Sequence, residues 1–279
     1  MENASTLIAP GPLARWRELV WPREHGSWAL ALEPLALGLL VAPSAAGAWL
    51  AFAVLAAFFA RRPLRIVFVD VSARRRAAAR GPLIALALVA AGCFTAAIAI
   101  GGTAWLGWLA PIAIAGTVFL SFDLRAEGRA EVAEVAGAAA FALLPGALAA
   151  LAGWRAPEAA ALAFVMCGRS VPTVLCVRAV LRAQKIGEPL DRLGALSWSN
   201  GRRFAFALVA ALLAVVVGAV LAHAGFVPRT VVGLLGFLAV RAVALLLFPR
   251  PELRPRTIGA MEAGLGVLFV TFAAVAWRV

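Results

Sequence analysis

The chain is short of nearly everything a soluble domain carries on its surface. Of its 279 residues only 14% are charged and 63% fall in the apolar set, whereas soluble domains run near about 25% charged and about 45–50% apolar. Mean hydropathy is +0.93. This excludes a soluble Rossmann or barrel enzyme. It also excludes a nucleic-acid-binding domain, despite a net charge of +12 and a pI near 11.6. Lysine occurs once, at Lys185, and tyrosine not at all. Cys93, Cys167 and Cys176 all sit in apolar runs without CxxC spacing, so they read as small buried residues and not as a disulfide framework or zinc site. There is no GxSxG, HExxH, Walker loop or DxxD. Only His25 and His223 are histidines, and the topology below puts them at opposite ends, which argues against bis-imidazole haem ligation.

What the chain has is apolar length. A membrane-spanning helix needs about 20 mostly apolar residues, and nine runs qualify: 27–44, 46–62, 82–101, 104–122, 132–152, 157–181, 204–223, 229–248 and 258–277. The second is interrupted by Arg61-Arg62-Pro63. The expected organisation is an amino-terminal segment, 1–26, followed by a nine-helix transmembrane domain, 27–279. Within the first, PLARWRELVW (12–21) carries Trp16, Leu19, Val20 and Trp21 among charges and reads as an interfacial helix. Basic residues collect on alternate loops: seven between Arg61 and Arg80 and five between Arg182 and Arg203, against Arg155, Arg229 and Arg278 alone on the other side. By the positive-inside rule the amino terminus is cytoplasmic and the carboxyl terminus outside the inner membrane. The basic face also attracts the anionic headgroups of membrane lipids. Gly and Ala saturate the runs, which favours close helix packing in a single bundle.

Five ionisable residues lie three or more residues inside the ends of the runs: Glu33, Arg169, Arg178, Arg241 and Glu262. Such residues face a partner or a cavity. One reading is mutual neutralisation, with the remainder snorkelling to the surface. The other is a polar cavity open to the cytoplasm, with Arg61 or Arg62 and Asp70 at its mouth. Arg61 at the end of the second run, with Pro63 and Asp70 just beyond it, matches Arg169, Pro172 and Arg178 in the sixth if the second resumes past its proline, a charge nine residues after an arginine in each case. The two runs are four apart and point the same way, as two four-helix repeats would place them. His25, in Pro22-Arg23-Glu24-His25-Gly26-Ser27-Trp28, stands at the entrance to the first run.

That Pro22–Trp28 segment resembles the opening signature of the YwiC-like bacterial membrane proteins. Arg169-Ser170-Val171-Pro172, followed by Val177-Arg178-Ala179 and Arg182, resembles that family's second signature. More distantly, the layout resembles the UbiA-type membrane prenyltransferases, with Arg80-Gly-Pro82-Leu83 and Glu134-Val-Ala-Gly137 through Pro145-Gly146 as further points of likeness. That resemblance implies an all-α integral membrane fold of nine helices in one bundle, two four-helix repeats plus a last helix. It also implies a cytoplasm-facing cavity holding Mg²⁺ and a prenyl pyrophosphate on acidic motifs at the ends of spans 2 and 6. Here Arg178 and Arg182 stand at the i, i+4 spacing where that family has acids, and only Asp70 remains at the first site.

The expectation is therefore an arginine-rich site without metal or other cofactor, binding an anionic lipid-tailed ligand, an isoprenoid pyrophosphate or a phospholipid. Guanidinium forks match phosphate oxygens directly. The residues expected to bind are His25, Glu33, Arg61, Arg62, Arg65, Asp70, Arg169, Arg178, Arg182, Arg241 and Glu262. No catalytic residue is singled out, and a prenyl- or lipid-transferase-like activity stays open. The alternative is a non-enzymatic transporter or a subunit of a membrane complex.

Overall fold

The computed structural model describes residues 12–22, 25–128, 130–186, 198–247 and 254–278, and all of its regular structure is helical. The elements are α1 (Pro12–Val20), α2 (His25–Val41), α3 (Ala45–Val69), α4 (Ala73–Gly101), a 3₁₀ turn (Ala104–Trp108), α5 (Leu109–Leu124), α6 (Glu131–Ala142), α7 (Leu144–Leu151), α8 (Ala156–Ile186), α9 (Trp198–His223), α10 (Arg229–Leu247) and α11 (Pro255–Ala276). Every apolar run read from the sequence is met by helix. Among the described residues seven segments are long and apolar enough to cross a membrane: Ala73–Gly101, Ala104–Leu124, Glu131–Leu151, Ala156–Arg182, Gly201–His223, Arg229–Leu246 and Pro255–Ala276. The apolar part of α2, Trp28–Val41, is shorter, and α3 carries Arg61, Arg62 and Arg65 in its last third.

Two boundaries differ from the sequence reading. The second run does not stop at Arg61-Arg62-Pro63, because α3 continues through Pro63 to Val69. A proline removes one backbone hydrogen bond, and Pro63, fully buried, is held by packing on both sides. The fifth run, expected as one helix over 132–152, breaks at Leu143 into α6 and α7, with Pro145 in the first turn of α7. There Gly146 lies against Trp108 and Ala163, closer than a Cβ would allow. Almost all of α7 is buried, at the centre of the molecule.

Local chemistry sets the turns. The Ser44 hydroxyl accepts from the Gly47 N–H at 3.0 Å and caps α3. At the other end of α3 the Asp70 carboxylate accepts from the Ser72 N–H at 2.9 Å, and the Ser72 hydroxyl caps α4 by accepting from Arg75 N–H at 3.4 Å. N-cap oxygens of this kind satisfy donors that the first turn leaves open.

The helices run back and forth between two ends. The basic end carries the α3–α4, α5–α6, α8–α9 and α10–α11 connections. At the opposite end Arg278 donates to the Leu40 carbonyl at 3.1 Å, tying the end of α11 to that of α2. Three apolar clusters fill the bundle. Leu35, Leu50, Trp105 and Leu148 join α2, α3, the 3₁₀ turn and α7. Leu162, Met166, Leu235 and Phe269 join α8, α10 and α11 toward the opposite end. Cys176, Val180, Ala211, Ala242 and Ile258 join α8 to α11 toward the basic end. By contrast α4 and α5 are the least buried of the long helices, with Ile84, Leu88 and Ile114 more than half exposed, as lipid-facing residues would be.

The topology has a direct check. Single cysteines added to a Cys93, Cys167 and Cys176 replacement background near Ala46 or Arg155 should react with an impermeant maleimide from the periplasm. Cysteines at 61–80 should not. Labelling of 61–80 would reverse the orientation.

Candidate functional site

The buried polar residues are few: Glu33, Asp123, Arg169, Ser170 and Glu262. Four of the five expected in-span charges meet in one layer. Arg169, only 2% exposed, projects from α8. Its Nη2 donates to the Glu262 backbone carbonyl on α11 at 3.0 Å, and its Nη1 donates to the Thr173 hydroxyl at 2.6 Å. That hydroxyl in turn donates to the Arg169 carbonyl at 2.7 Å. The two carboxylates stand farther off, Glu33 of α2 at 3.6 Å and Glu262 at 3.9 Å. Arg241 of α10 donates directly to the other carboxylate oxygen of Glu262. Four helices are thus joined through two arginines and two glutamates.

The layer is packed and not open. Glu33 and Glu262 are each 8% exposed. The Glu33 carboxylate occupies the space a side chain at Gly266 would need, so a glycine of α11 is what admits the acid. Apolar clusters close over the layer along α8 and α11 on both sides. Within it two polar atoms have no hydrogen-bond partner, the Arg169 Nε–H and the Glu262 Oε2. A guanidinium in a low-dielectric interior is ordinarily fully hydrogen-bonded. Arg169 is not.

Arg61 is the contrasting case. Its Nε and Nη2 donate to both oxygens of Asp123 at 3.0 Å, a bidentate pair, and Phe119 lies 4.6 Å beneath the guanidinium. Asp123 is 1% exposed. This pair latches α3 to the end of α5.

The remaining expected residues are spread over the basic end. Arg178 leaves α8 on the side away from Arg169 and pairs with Glu134 of α6. Arg203 of α9 reaches Glu131 at 3.5 Å. Arg62 donates to the Trp21 carbonyl, beside a ring cluster of Trp21, Trp28, Phe58 and Phe59. Arg65 and Arg182 are exposed. Asp70 serves the α3–α4 turn, with Arg75 at 2.7 Å and Arg76 donating to its carbonyl at 3.1 Å. His25 opens α2, but its side chain lies outside the described residues. Among the described residues there is no group of three or more His, Cys, Asp or Glu side chains placed to hold a metal ion.

Sequence reasoning missed Asp123, Glu131, Glu134 and Arg203. Asp123 is one residue beyond the apolar run that ends at 122, and Glu131-Val-Ala-Glu134 sets two acids at i, i+3 at the start of another. Acids at those points facing an arginine-rich end were the available signal.

Removing Arg61 leaves Asp123 buried without its partner, a loss of about 3 kcal/mol or more. Arg61→Ala should therefore lower the thermal unfolding midpoint in detergent. The pair Arg61→Leu with Asp123→Leu should recover most of the loss, and an equal drop in both would show that the loss does not come from an unpaired Asp123.

Residues 21–150 match the family model described as YwiC-like protein. Pro22–Trp28, Glu33, Arg61, Asp70, Asp123 and Glu134 lie inside the matched stretch; Arg169, Arg178, Arg241 and Glu262 lie beyond it. No curated protein and no solved structure matches the chain.

Proposed function

We propose, for a chain whose residues 21–150 are YwiC-like, that it is an inner-membrane protein binding the phosphate or pyrophosphate head of an anionic lipid on arginines, without a metal. In this reading the nine apolar helical runs all cross the membrane. The amino terminus is cytoplasmic, and α3 and α8, each an arginine helix continuing through a proline, are corresponding members of two four-helix repeats. The basic end faces the cytoplasm and gathers anions; Arg169 and Arg241 receive the head group when the layer, closed in this structure, opens between α2 and α11.

The observation that carries the reading is the incomplete ligation of Arg169. Its carboxylate neighbours stand at 3.6 and 3.9 Å, beyond hydrogen-bond range, and its Nε–H has no partner. The same chain closes Arg61 bidentately at 3.0 Å. An arginine meant only as a structural tie would be expected to resemble Arg61. A phosphate oxygen would complete Arg169, and each charge-assisted hydrogen bond it gains is worth about 1.5–3 kcal/mol. The Trp21–Trp28–Phe58–Phe59 cluster beside Arg62 supplies an apolar wall suited to a lipid tail.

Native mass spectrometry of the purified protein with phosphatidylglycerol and with farnesyl pyrophosphate tests this. Binding should persist in EDTA. Arg169→Ala should weaken it about tenfold or more, with Lys at the position recovering only part because it lacks the planar fork. Binding that requires Mg²⁺ and disappears on Asp70→Asn alone would replace this reading with a metal-held pyrophosphate.

A further inference from the structure

The end of α3 and the start of α4, residues 61–80, carry seven arginines and one acid, Asp70. Four of the arginines are engaged within the protein: Arg61 on Asp123, Arg62 on the Trp21 carbonyl, Arg75 on the Asp70 carboxylate and Arg76 on the Asp70 carbonyl. Arg65, Arg74 and Arg80 are exposed, and among the described residues no ion pair or hydrogen bond holds them. Two apolar side chains stand exposed between them, Phe68 at 67% and Val71 at 95%. Arg65, Phe68, Val71 and Arg74 follow one another at three-residue intervals over the end of α3 and the turn, in the order basic, apolar, apolar, basic.

Depth separates this surface from the lipid-facing ones. Ile84 and Leu88 are exposed on the part of α4 that can cross a membrane. Residues 81–101 of α4 span about 31 Å, enough for the about 30 Å hydrocarbon layer. Residues 73–80 then extend about 12 Å beyond it, past a headgroup layer of about 5–8 Å on each side. The aromatic rings mark the same level. Trp21 and Trp28, the residue type enriched at headgroups, pack on Phe59 at 6.1 and 5.5 Å. Phe68 is farther along α3 by about 13 Å. Arginines that only orient a helix act at the headgroups, whereas the tip of this hairpin stands in water. Exposed apolar groups rimmed by charge in that position mark a contact with another molecule.

We propose that the tip of the α3–α4 hairpin docks an acidic segment of a partner protein, its carboxylates meeting Arg65, Arg74 and Arg80 and its apolar side chains covering Phe68 and Val71. Charge decides the occupant. A second copy of this chain, net charge +12, would bring the same arginines to the contact. A nucleic acid would use the guanidinium groups but leave Val71 in water, since its bases stack on aromatic rings and not on an aliphatic side chain. A segment with apolar residues between its acids satisfies both parts of the surface. Guanidinium–carboxylate forks fix its orientation, and the apolar side chains form the dry centre of the contact. Docking at this tip does not depend on anion binding at Arg169 and Arg241.

The probe is a fluorescein-labelled helical peptide of alternating glutamate and leucine pairs, read by fluorescence anisotropy. It is added to the full-length protein in phosphatidylcholine nanodiscs, with empty discs as the blank. The peptide should bind, and more weakly as salt rises from about 50 to about 500 mM. Arg65→Glu with Arg74→Glu and Arg80→Glu should weaken binding about tenfold or more. Phe68→Ser with Val71→Ser should weaken it about fivefold or more and keep the salt dependence. All five positions are exposed, so both variants should elute and show helical circular dichroism as wild type does; if one does not fold, the other decides. No binding, or binding by either folded variant equal to that of wild type, overturns the docking surface. The occupant is read in native membranes with the photo-crosslinker p-benzoylphenylalanine in place of Val71. Cross-linking to a segment of another protein that combines net negative charge with apolar residues supports the proposal. Cross-linking to lipid, to RNA or to a second copy of this chain overturns it, as does the lack of any protein adduct while the same probe at Ile114 labels lipid.

Discussion

A guanidinium placed halfway through an apolar bundle must be compensated by its surroundings, and the arrangement of four helices follows from how that is done. Arg169 sits on the longest helix, 2% exposed, and is joined to α11 by a backbone carbonyl and to its own helix through Thr173. Glu33 brings α2 to it and Glu262 brings α10, through Arg241. Gly266 exists where it does because the Glu33 carboxylate needs the volume. Apolar association between helices has little driving force in lipid, where tails are as apolar as side chains. Polar contacts of this kind therefore decide which helices become neighbours and at what register.

The arginines divide by how they are held. Arg61 and Asp123 form a closed, two-point contact stacked on an aromatic ring, and the pair holds α3 against the end of α5. Arg178 and Arg203 sit on partly exposed acids at the start of α6, where solvent screening makes such pairs weak. Arg169, 2% exposed, is the most deeply buried of these arginines, and its Nε–H has no hydrogen-bond partner. Burial and bonding ordinarily rise together, and at Arg169 they separate.

Much of the fold was legible because bilayer-crossing helices announce themselves by length and by the charges that bound them. The nine apolar runs all became helix, and Glu33, Arg169, Arg241 and Glu262 could be picked out because charge inside an apolar run is conspicuous. The break at Leu143 was not legible: Pro145 ends a helix there while Pro63 and Pro172 do not, and that difference rests on tertiary packing around α7. The pairing was not legible either. Arg178 is displaced from Arg169 by nine residues, two and a half helical turns, so it faces the other side of α8 and meets Glu134. Asp123, one residue past the apolar run that ends at 122, was readable only as an acid facing an arginine-rich end, which does not show its burial. An open cavity was a reasonable expectation from unpaired charges, but glycine and alanine let the helices close around them.

The length of α2 carries a consequence for the membrane itself. Its 17 residues span about 25 Å, short of the about 30 Å hydrocarbon thickness of an average bilayer. Neighbouring α3, α8 and α11 are longer, at 25, 31 and 22 residues. In the proposed nine-span reading, hydrophobic mismatch is concentrated on one helix, which is tied at its far end to Arg278 and at its middle to Arg169. A short helix adjusts to a thicker bilayer by thinning the lipid around it or by shifting along its axis. Any such shift moves Glu33, whose carboxylate has no spare volume beside Gly266. In that reading bilayer thickness is converted, through a single glutamate, into a mechanical load on Arg169, whose buried Nε–H has no hydrogen-bond partner.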